Sequence, residues 1–349
     1  MGILHYFRWS FAFTFAAVGA GFYFGGIPGL MAVMMLGLLE TSLSMDNAVV
    51  NAKQLLRMSA FWRKMFLTVG IIIAVFGMRI LFPILIVSVT AGMSMVDVYN
   101  MAIDTPEQYA ATLTSTHSMI AGFGGAFLML VFLKFFLDDD KETHWLSWIE
   151  KPLAKLGKAD SIQIVITLVA LYFTSTYLPK PENMQFMMAG IAGIVLYVLV
   201  DSLELITGGG EEDDAPVTPG AATVVMKNGL IGFLYLEVLD ASFSFDGVIG
   251  AFAVTNNIFI IALGLGIGAM FVRSMTVYLV DKGTLAELRF LEHGAFWAIG
   301  ALATIMFVST VVHVSEMISG SIGAICILAA GVHSYLSKDG EEVPEANNF

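Results

Sequence analysis

Residues 29–56 read GLMAVMMLGLLETSLSMDNAVVNAKQLL, and this segment decides the fold. It opens with an unbroken apolar run and stays mostly apolar for about 20 residues, the length at which an α-helix crosses a hydrocarbon core of about 30 Å. Glu40 and Asp46 nevertheless lie inside it. An acid at bilayer depth costs about 2.5–3.5 kcal/mol on insertion scales, so it normally faces a partner, an ion or a cavity. The segment therefore predicts a membrane-spanning helix that carries functional groups.

The rest of the chain repeats this apolar pattern. Of its 349 residues, 57% are hydrophobic and 13% are charged, whereas soluble proteins have about 25% charged residues. We predict an all-α polytopic membrane protein with about ten transmembrane helices, and between the third and fourth an exposed loop with a short amphipathic helix at 93–115. The predicted spans are about 7–25, 29–56, 64–90, 116–137, 161–178, 184–206, 225–255, 258–281, 293–314 and 317–336.

Charge and cysteine content exclude several classes of function. The net charge of −12 provides no basic surface for a nucleic acid. The single cysteine, Cys326, excludes an intramolecular disulfide and a cysteine-based metal cluster. If the N-terminus is placed inside and the spans alternate, the Lys and Arg residues of the loops collect inside, and only Lys180 falls outside. This asymmetry predicts that both termini are cytoplasmic.

The two halves of the chain resemble each other. The sequence ETSLSMD at 40–46 matches DASFSFD at 240–246, an acid–x–Ser–x–Ser–x–Asp pattern in the second and seventh predicted spans. Matched residues follow in the same order, namely Arg79 and Arg273, then His117 and His293. Because each half has five spans, an odd number, the copies enter the membrane from opposite sides, as in many secondary transporters. We predict an inverted pair of five-helix repeats at 1–180 and 181–336, an acidic Gly/Pro linker at 207–220 and a polar tail at 337–349.

Acidic side chains are concentrated in the second and seventh spans, which contain Glu40, Asp46, Glu237, Asp240 and Asp246. Asn47 and four serines lie among them, namely Ser42, Ser44, Ser242 and Ser244. Acids and serines occupy alternate positions, which is the period of an extended chain, so we expect local unwinding at both motifs. An oxygen-only set of ligands suits Mn²⁺, Ca²⁺ or Mg²⁺ and does not suit Zn²⁺ or Cu⁺.

A structural role is the alternative for each of these groups. Serine in a transmembrane helix often bonds back to a carbonyl of its own helix. Arg79 and Arg273 are either salt-bridge partners of the site or a structural link between the halves, and two arginines cannot neutralise five acids. His117 and His293 lie at the starts of spans, where they are either interfacial structural residues or a proton relay.

The motif segments ETSLSMDNAVV at 40–50 and EVLDASFSFDGVI at 237–249 resemble the paired signatures of the tellurite-resistance TerC family of integral membrane proteins. The resemblance extends over residues 30–336. It implies a bacterial inner-membrane protein of metal-ion homeostasis, with manganese efflux as its role. At the matching positions it implies a metal site formed by Glu40, Asp46, Asn47, Asp240 and Asp246. Glu237 joins this set because it lies about one helical turn before Asp240.

The predicted function is therefore transport of a divalent metal ion, with Mn²⁺ efflux by alternating access through a carboxylate-lined site at the membrane midplane. Ca²⁺ and Mg²⁺ are the alternative ions, and the partners are the bilayer and the metal ion. One alternative is a membrane scaffold that docks cytosolic stress-response proteins through its acidic loops; the chain could also form a homo-oligomer. An intramembrane metal-dependent hydrolase ranks below both, because no HExxH pattern or nucleophile–base pair is present. We expect no enzymatic activity.

Overall fold

The computed structural model describes residues 2–159, 161–206, 221–312 and 314–338, and every regular element in these ranges is a helix. The helices are α1 (Ile3–Leu43), α2 (Met45–Leu56), α3 (Ala60–Ile72), a π-helical segment (Ile73–Leu81), α4 (Phe82–Ala91), α5 (Met95–Asp104), α6 (Pro106–Ser115), α7 (His117–Phe136), α8 (Ser147–Leu156), α9 (Ile162–Ser175), α10 (Glu182–Ile206), α11 (Ala221–Ala251), α12 (Ile258–Lys282), α13 (Thr284–Glu287), α14 (Leu291–Ser309) and α15 (Glu316–Lys338). The predicted linker at 207–220 and the predicted tail beyond Lys338 lie outside the described residues.

Helix α1 consists of two legs, residues 3–25 and 27–43, joined at Gly26. Gly26 has φ 60° and ψ −149°, a conformation that glycine adopts readily because it has no Cβ. The legs fold back on each other, since a Cβ added at Gly21 in the first leg would lie 2.6 Å from Val33 Cγ2 in the second. The turn coincides with the break predicted between the first two spans.

Both legs of α1 pack on α12. In the first leg, Ser10 Oγ donates to the Met270 carbonyl at 2.8 Å. In the second leg, Gly37 faces Ile267, whose side-chain atoms would lie 3.0 Å from an added Cβ. Helix α12 also contacts α2 and the π-helical segment. It is therefore a central helix against which the elements carrying the acidic motif of residues 40–46 are held.

Helices α7 and α14 form an antiparallel pair. Phe135 near the end of α7 stacks on Phe296 near the start of α14, with ring centroids 3.9 Å apart. At the opposite end of the pair, Ser309 Oγ lies 3.4 Å from His117 Nε2. Helix α10 packs on α7, and α15 packs on α14. This group provides a second wall for the space between α1, α2 and α11.

The segment at 93–115 is more ordered than predicted. It forms two helices, α5 and α6, in place of the expected exposed loop with one short helix. Their apolar faces are buried, with Val98, Tyr109 and Leu113 each 0% exposed. These residues pack in one cluster with side chains of α4 and α12, including Val87 and Leu265. The amphipathic spacing thus serves tertiary packing, which the prediction of an exposed loop missed.

The outer surface of the bundle is apolar. Phe15, Leu38 and Tyr172 are exposed by 78%, 73% and 66%, although such side chains are normally buried in soluble proteins. Within the described ranges, seven helical runs are long and apolar enough to cross a bilayer, namely Ile3–Leu43, Ala60–Ala91, His117–Phe136, Glu182–Leu203, Ile258–Lys282, Leu291–Ser309 and Met317–Ser337. The chain is therefore a multi-pass, all-helical membrane protein whose outer side chains face lipid.

Candidate ion-binding site

The first acidic motif lies where one helix ends and the next begins. Helix α1 ends at Leu43, Ser44 has φ −101° and ψ 22°, and α2 starts at Met45. The Ser44 N–H still donates to the Glu40 carbonyl at 3.0 Å, so the interruption is one residue long and shorter than the unwound segment predicted. Glu40, Asp46 and Asn47 are all buried, with 4–5% of each exposed. The motif therefore places two carboxylates and one amide inside the bundle.

The second motif remains helical. Glu237 and Asp240 are each 6% exposed and lie within the continuous helix α11, so the prediction of unwinding is wrong for this copy. Ser242 Oγ donates to the Val238 carbonyl at 2.9 Å, as a helical serine commonly does. Ser244 is buried, and its hydroxyl has no partner among the described residues. The side chain of Asp246, which was also predicted as a ligand, lies outside the described part of the structure.

Ser42 does not belong to the site. Its side chain is exposed, and its Oγ donates to the Leu38 carbonyl at 2.8 Å. It lies on the outer face of α1, away from Glu40, so its role is structural. Ser44, in contrast, lines the cavity beside Glu40 and Asp46.

Helix α11 runs antiparallel to the second leg of α1 and to α2. A Cβ added at Gly247 would lie 2.7 Å from Glu40 Oε2, and one added at Gly232 would lie 3.4 Å from Gln54 Nε2. This register brings Asp240 within electrostatic range of Glu40, which also interacts with Asp46. The four described carboxylates are therefore linked pairwise, Asp46 with Glu40, Glu40 with Asp240, and Asp240 with Glu237.

Both predicted arginines lie at this carboxylate cluster and are 3% exposed. Arg79 Nη2 donates to Glu40 Oε1 at 2.9 Å, and Nη1 donates to the Ala74 carbonyl. Arg273 Nη2 lies 3.5 Å from Glu237 Oε1. Each arginine thus contacts one oxygen of one glutamate. The second oxygen of Glu40 faces Gly247, and that of Glu237 is buried without a partner among the described residues.

A cavity of about 40 Å³ opens beside Glu40 and Asp46. One water molecule needs a cavity of about 10–15 Å³, so this space has room for a few water-sized groups or a partly hydrated ion. Its lining combines oxygen-bearing and apolar side chains from α1, α2, α11, α14 and α15: Glu40, Leu43, Ser44, Asp46, Asn47, Phe243, Gly247, Ala298, Leu302, Ser319, Gly320 and Gly323.

Several buried polar atoms on α2 and α11 lack a hydrogen-bond partner within the described ranges. They are Asn47 Oδ1, both amide atoms of Asn51, Glu237 Oε2 and Ser244 Oγ. Buried polar groups are normally satisfied, so such a concentration indicates a place for a polar ligand. Four of the five atoms are oxygens, the donors that Mn²⁺, Mg²⁺ and Ca²⁺ prefer. Asn51 was not among the predicted ligands, although it lies one helical turn beyond Asn47 on α2.

The two matched histidines lie at opposite ends of the α7–α14 pair. His117 lies beside Ser309 at one end of the α7–α14 pair. His293, at the other end, lies 2.8 Å from the Thr143 carbonyl and 3.5 Å from Glu150 Oε2. The polar contacts of His293 are with Thr143 and Glu150, which lie outside the carboxylate cluster, so the structure does not place this half of the predicted relay at the site.

A second buried polar cluster surrounds Glu150 of α8, which is 0% exposed. Its carboxylate accepts three N–H groups and lies near three side-chain nitrogens: Trp145 N at 3.1 Å, Leu146 N at 3.0 Å, Trp297 Nε1 at 3.2 Å, Lys141 Nζ at 3.6 Å, His144 Nδ1 at 3.7 Å and His293 Nε2 at 3.5 Å. Burial lowers the pKa of the Lys141 ammonium, and the neighbouring Glu150 carboxylate opposes that shift. This cluster fixes the connection between α7 and α8 against α14.

Comparison with known proteins gives one family. A family model described as a protein of unknown function (DUF475) matches residues 45–340, which include α2, α11, both arginines and most of the cavity lining. No curated protein and no solved structure matches the chain.

Proposed function

The chain belongs to the DUF475 family, whose description assigns no function, and from the geometry of the carboxylate cluster we propose that it transports a divalent metal ion. The observation that carries this proposal is a cavity lined by two buried carboxylates, Glu40 and Asp46, and by Ser44 and Asn47. Two further buried carboxylates, Asp240 and Glu237, interact with this group from α11. Acids at membrane depth are costly and normally serve an ion or substrate pathway. An ion pathway accounts for both the acids and the unpaired oxygens.

The charge of the described site favours a divalent ion. Glu40, Asp46, Glu237 and Asp240 contribute −4 when ionised, and Arg79 and Arg273 contribute +2. The remaining −2 equals the charge that one divalent cation neutralises. A monovalent ion would leave a net buried charge, which is unfavourable in a medium of low dielectric constant.

The donor set and the family resemblance together suggest the ion. The described carboxylate, amide and hydroxyl oxygens suit Mn²⁺, Mg²⁺ or Ca²⁺, and the described lining of the cavity contains neither cysteine nor methionine. The resemblance of the motifs at 40–50 and 237–249 to the TerC family favours Mn²⁺, with export as the direction. We propose Mn²⁺ efflux across the bacterial inner membrane.

Alternating access would follow from ten crossings in two inverted repeats. The two legs of α1 each count as a crossing, the second continuing into α2. Helix α11, with 31 residues, and α9, with 14, add the other two crossings to the seven long apolar runs. In both halves the matched arginine contacts a buried glutamate, Glu40 for Arg79 and Glu237 for Arg273, which supports the repeat although Glu237 lies three residues before the position aligned with Glu40. The loop charges favour cytoplasmic N- and C-termini.

Calorimetry on the purified protein in detergent tests the proposal. We expect the wild type to bind Mn²⁺, and Asp46→Asn/Asp240→Asn to show no measurable binding, because two of the four carboxylates then carry no charge. The matched control neutralises the exposed acids Asp138, Asp139 and Asp140, whose carboxylate oxygens lie within 4.8 Å of one another. This control should bind as the wild type does.

Two outcomes would contradict the proposal. Binding that survives in the double variant but disappears in the control would place the ion at the surface. If a well-folded wild type binds none of Mn²⁺, Mg²⁺, Ca²⁺ or Zn²⁺, the proposal of metal-ion transport is refuted and the scaffold alternative is favoured. Where the expected pattern is seen, Mn²⁺ flux into proteoliposomes should be lost in the same double variant.

A further inference from the structure

The two arginines of the site are anchored differently. Arg273 Nη1 donates to the Phe66 carbonyl at 3.0 Å, and Nη2 donates to the Gly70 carbonyl at 3.1 Å. Its guanidinium also lies 3.5 Å from the centre of the Phe66 ring, a cation–π contact. Glu237 Oε1 is a more distant partner of Nη2, at 3.5 Å. Arg273 is therefore fixed to α3 by contacts that do not involve the carboxylate.

Arg79 has the opposite balance of contacts. Its strong partner is the carboxylate of Glu40 at 2.9 Å. Its other described acceptor is the Ala74 carbonyl, five residues earlier in its own π-helical segment. The Nε–H is buried and has no partner among the described residues. Arg79 therefore depends on Glu40, and the π-helical turn that carries it is an irregular geometry of a kind frequent at functional sites.

Glu40 is where an ion and Arg79 would meet. Its Oε1 is bound to Arg79, while the carboxylate lines the cavity beside Asp46. A divalent ion entering that cavity and the guanidinium seek the same negative charge. Their mutual repulsion in a buried site is strong, because the screening by water is lost there.

We propose that Arg79 is an exchangeable internal counter-cation for Glu40, which it neutralises when no ion is bound and releases when an ion enters. Arg273 is the fixed anchor between α12 and α3. This inference rests on the proposed function, because it assigns a role in binding the same ion. Competition from Arg79 lowers the affinity of the site, which a transporter needs because the ion must also leave.

This assignment is tested by Mn²⁺ calorimetry on the full chain in detergent, comparing the wild type with Arg79→Gln and the matched variant Arg273→Gln. The measurement is made at pH 8, where protons compete less for the metal ligands. Both variants remove one positive charge from the site. We expect Arg79→Gln to bind Mn²⁺ about tenfold more tightly than the wild type, a change of about 1.4 kcal/mol. The gain in Arg273→Gln should be clearly smaller. Arg273→Gln should unfold at a lower temperature with and without Mn²⁺, because it loses the anchor to α3.

Thermal unfolding provides an independent readout. Arg79→Gln leaves Glu40 buried without its cation, so its unfolding temperature should fall without Mn²⁺ and rise more than that of the wild type when Mn²⁺ is added. If Arg79→Gln does not fold, Arg79→Lys replaces it. That variant keeps the charge but loses the planar two-pronged donor group, so it should bind Mn²⁺ a few-fold more tightly than the wild type.

The outcomes separate this inference from the proposed function. Weaker Mn²⁺ binding by Arg79→Gln or Arg79→Lys, with normal binding by the wild type, refutes the exchange and leaves the transport proposal standing. If Arg79→Gln and Arg273→Gln gain Mn²⁺ affinity equally, the gain comes from the change in net charge alone, and the proposed exchange at Arg79 is also refuted. Absence of binding in the wild type and all variants overturns both proposals.

Discussion

Replacing Asn51 with leucine should stabilise the ion-free protein and weaken ion binding. Asn51 is 0% exposed, and both its amide nitrogen and its amide oxygen lack a hydrogen-bond partner among the described residues. A buried polar group without a partner costs about 1–3 kcal/mol, whereas an apolar side chain of similar shape removes that cost. Taking the lower end for each of two atoms, we expect Asn51→Leu to raise the free energy of unfolding by about 2 kcal/mol.

The opposite sign is expected for the ion. If Asn51 offers its oxygen to an ion or to its water shell, leucine removes that oxygen, and Mn²⁺ binding should weaken by about tenfold, or about 1.4 kcal/mol. Thermal unfolding in detergent without metal and Mn²⁺ calorimetry measure the two effects on the same preparation. A matched control is Asn100→Leu on α5, an exposed asparagine that should change neither quantity appreciably. An ion-free Asn51→Leu protein that is less stable than the wild type would refute the reasoning, because the amide would then be held by partners that stabilise the fold.

Two further predictions concern packing and charge. A Cβ at Gly268 would overlap the side chain of Glu40 and lie 3.0 Å from its carbonyl carbon, so Gly268→Ala should destabilise the protein by about 1–3 kcal/mol. The control is Gly19→Ala, where no atom lies within 4 Å of the added Cβ and no loss of stability is expected. Equal thermal stability of the two variants would contradict this prediction. Burial lowers the pKa of Lys141 below its usual 10.5. Between the lowered pKa and 10.5 the unfolded chain therefore binds more protons than the folded chain, and the free energy of unfolding rises with pH in this window. The free energy of unfolding of the wild type minus that of Lys141→Met should therefore increase as the pH is raised towards 10.5, and a difference that falls or stays flat in urea titrations would contradict it.

The general architecture was predictable from the sequence because lipid imposes simple rules. Apolar blocks of about 20 residues gave the positions of most helices, and the break between the predicted spans 7–25 and 29–56 marked the turn between the legs of α1. The cost of a buried charge identified Glu40, Asp46, Glu237 and Asp240 as the unusual residues. These rules depend only on composition and length, so they need no knowledge of the tertiary contacts.

The geometry inside the site was not predictable in the same way. The alternation of acids and serines suggested an extended chain, yet Ser242 satisfies its hydroxyl on the carbonyl of Val238 and α11 remains a helix. The motif alignment matches Glu40 with Asp240, but the direct partner of Arg273 is Glu237, three residues earlier. Residues three apart share a helix face, so only packing decides between them.

Long-range clusters were also missed because their members are scattered along the chain. Glu150 gave no signal in the sequence, since it lies in a mixed polar segment between predicted spans. Two of its partners, His293 and Trp297, come from a helix more than 140 positions away. The π-helical segment at Ile73–Leu81 was invisible for a related reason, because its apolar sequence fits an ordinary α-helix equally well.

More than half of the unpaired buried polar atoms in the described part of the chain belong to residues on the elements that carry the site. Among the described residues, eleven buried side-chain nitrogen or oxygen atoms have no partner, and six of them belong to Asn47, Asn51, Arg79, Glu237 and Ser244. Three of the other five, Lys141 Nζ, His144 Nδ1 and His293 Nδ1, belong to residues around Glu150, whose carboxylate accepts three N–H groups. A fold that leaves its polar groups unsatisfied at one place gives up stability there, and a ligand that satisfies them restores it. At a free ion concentration of 100 times Kd, binding adds about 2.7 kcal/mol to the free energy of unfolding. The site is therefore expected to be the part of the protein whose stability depends most strongly on the metal.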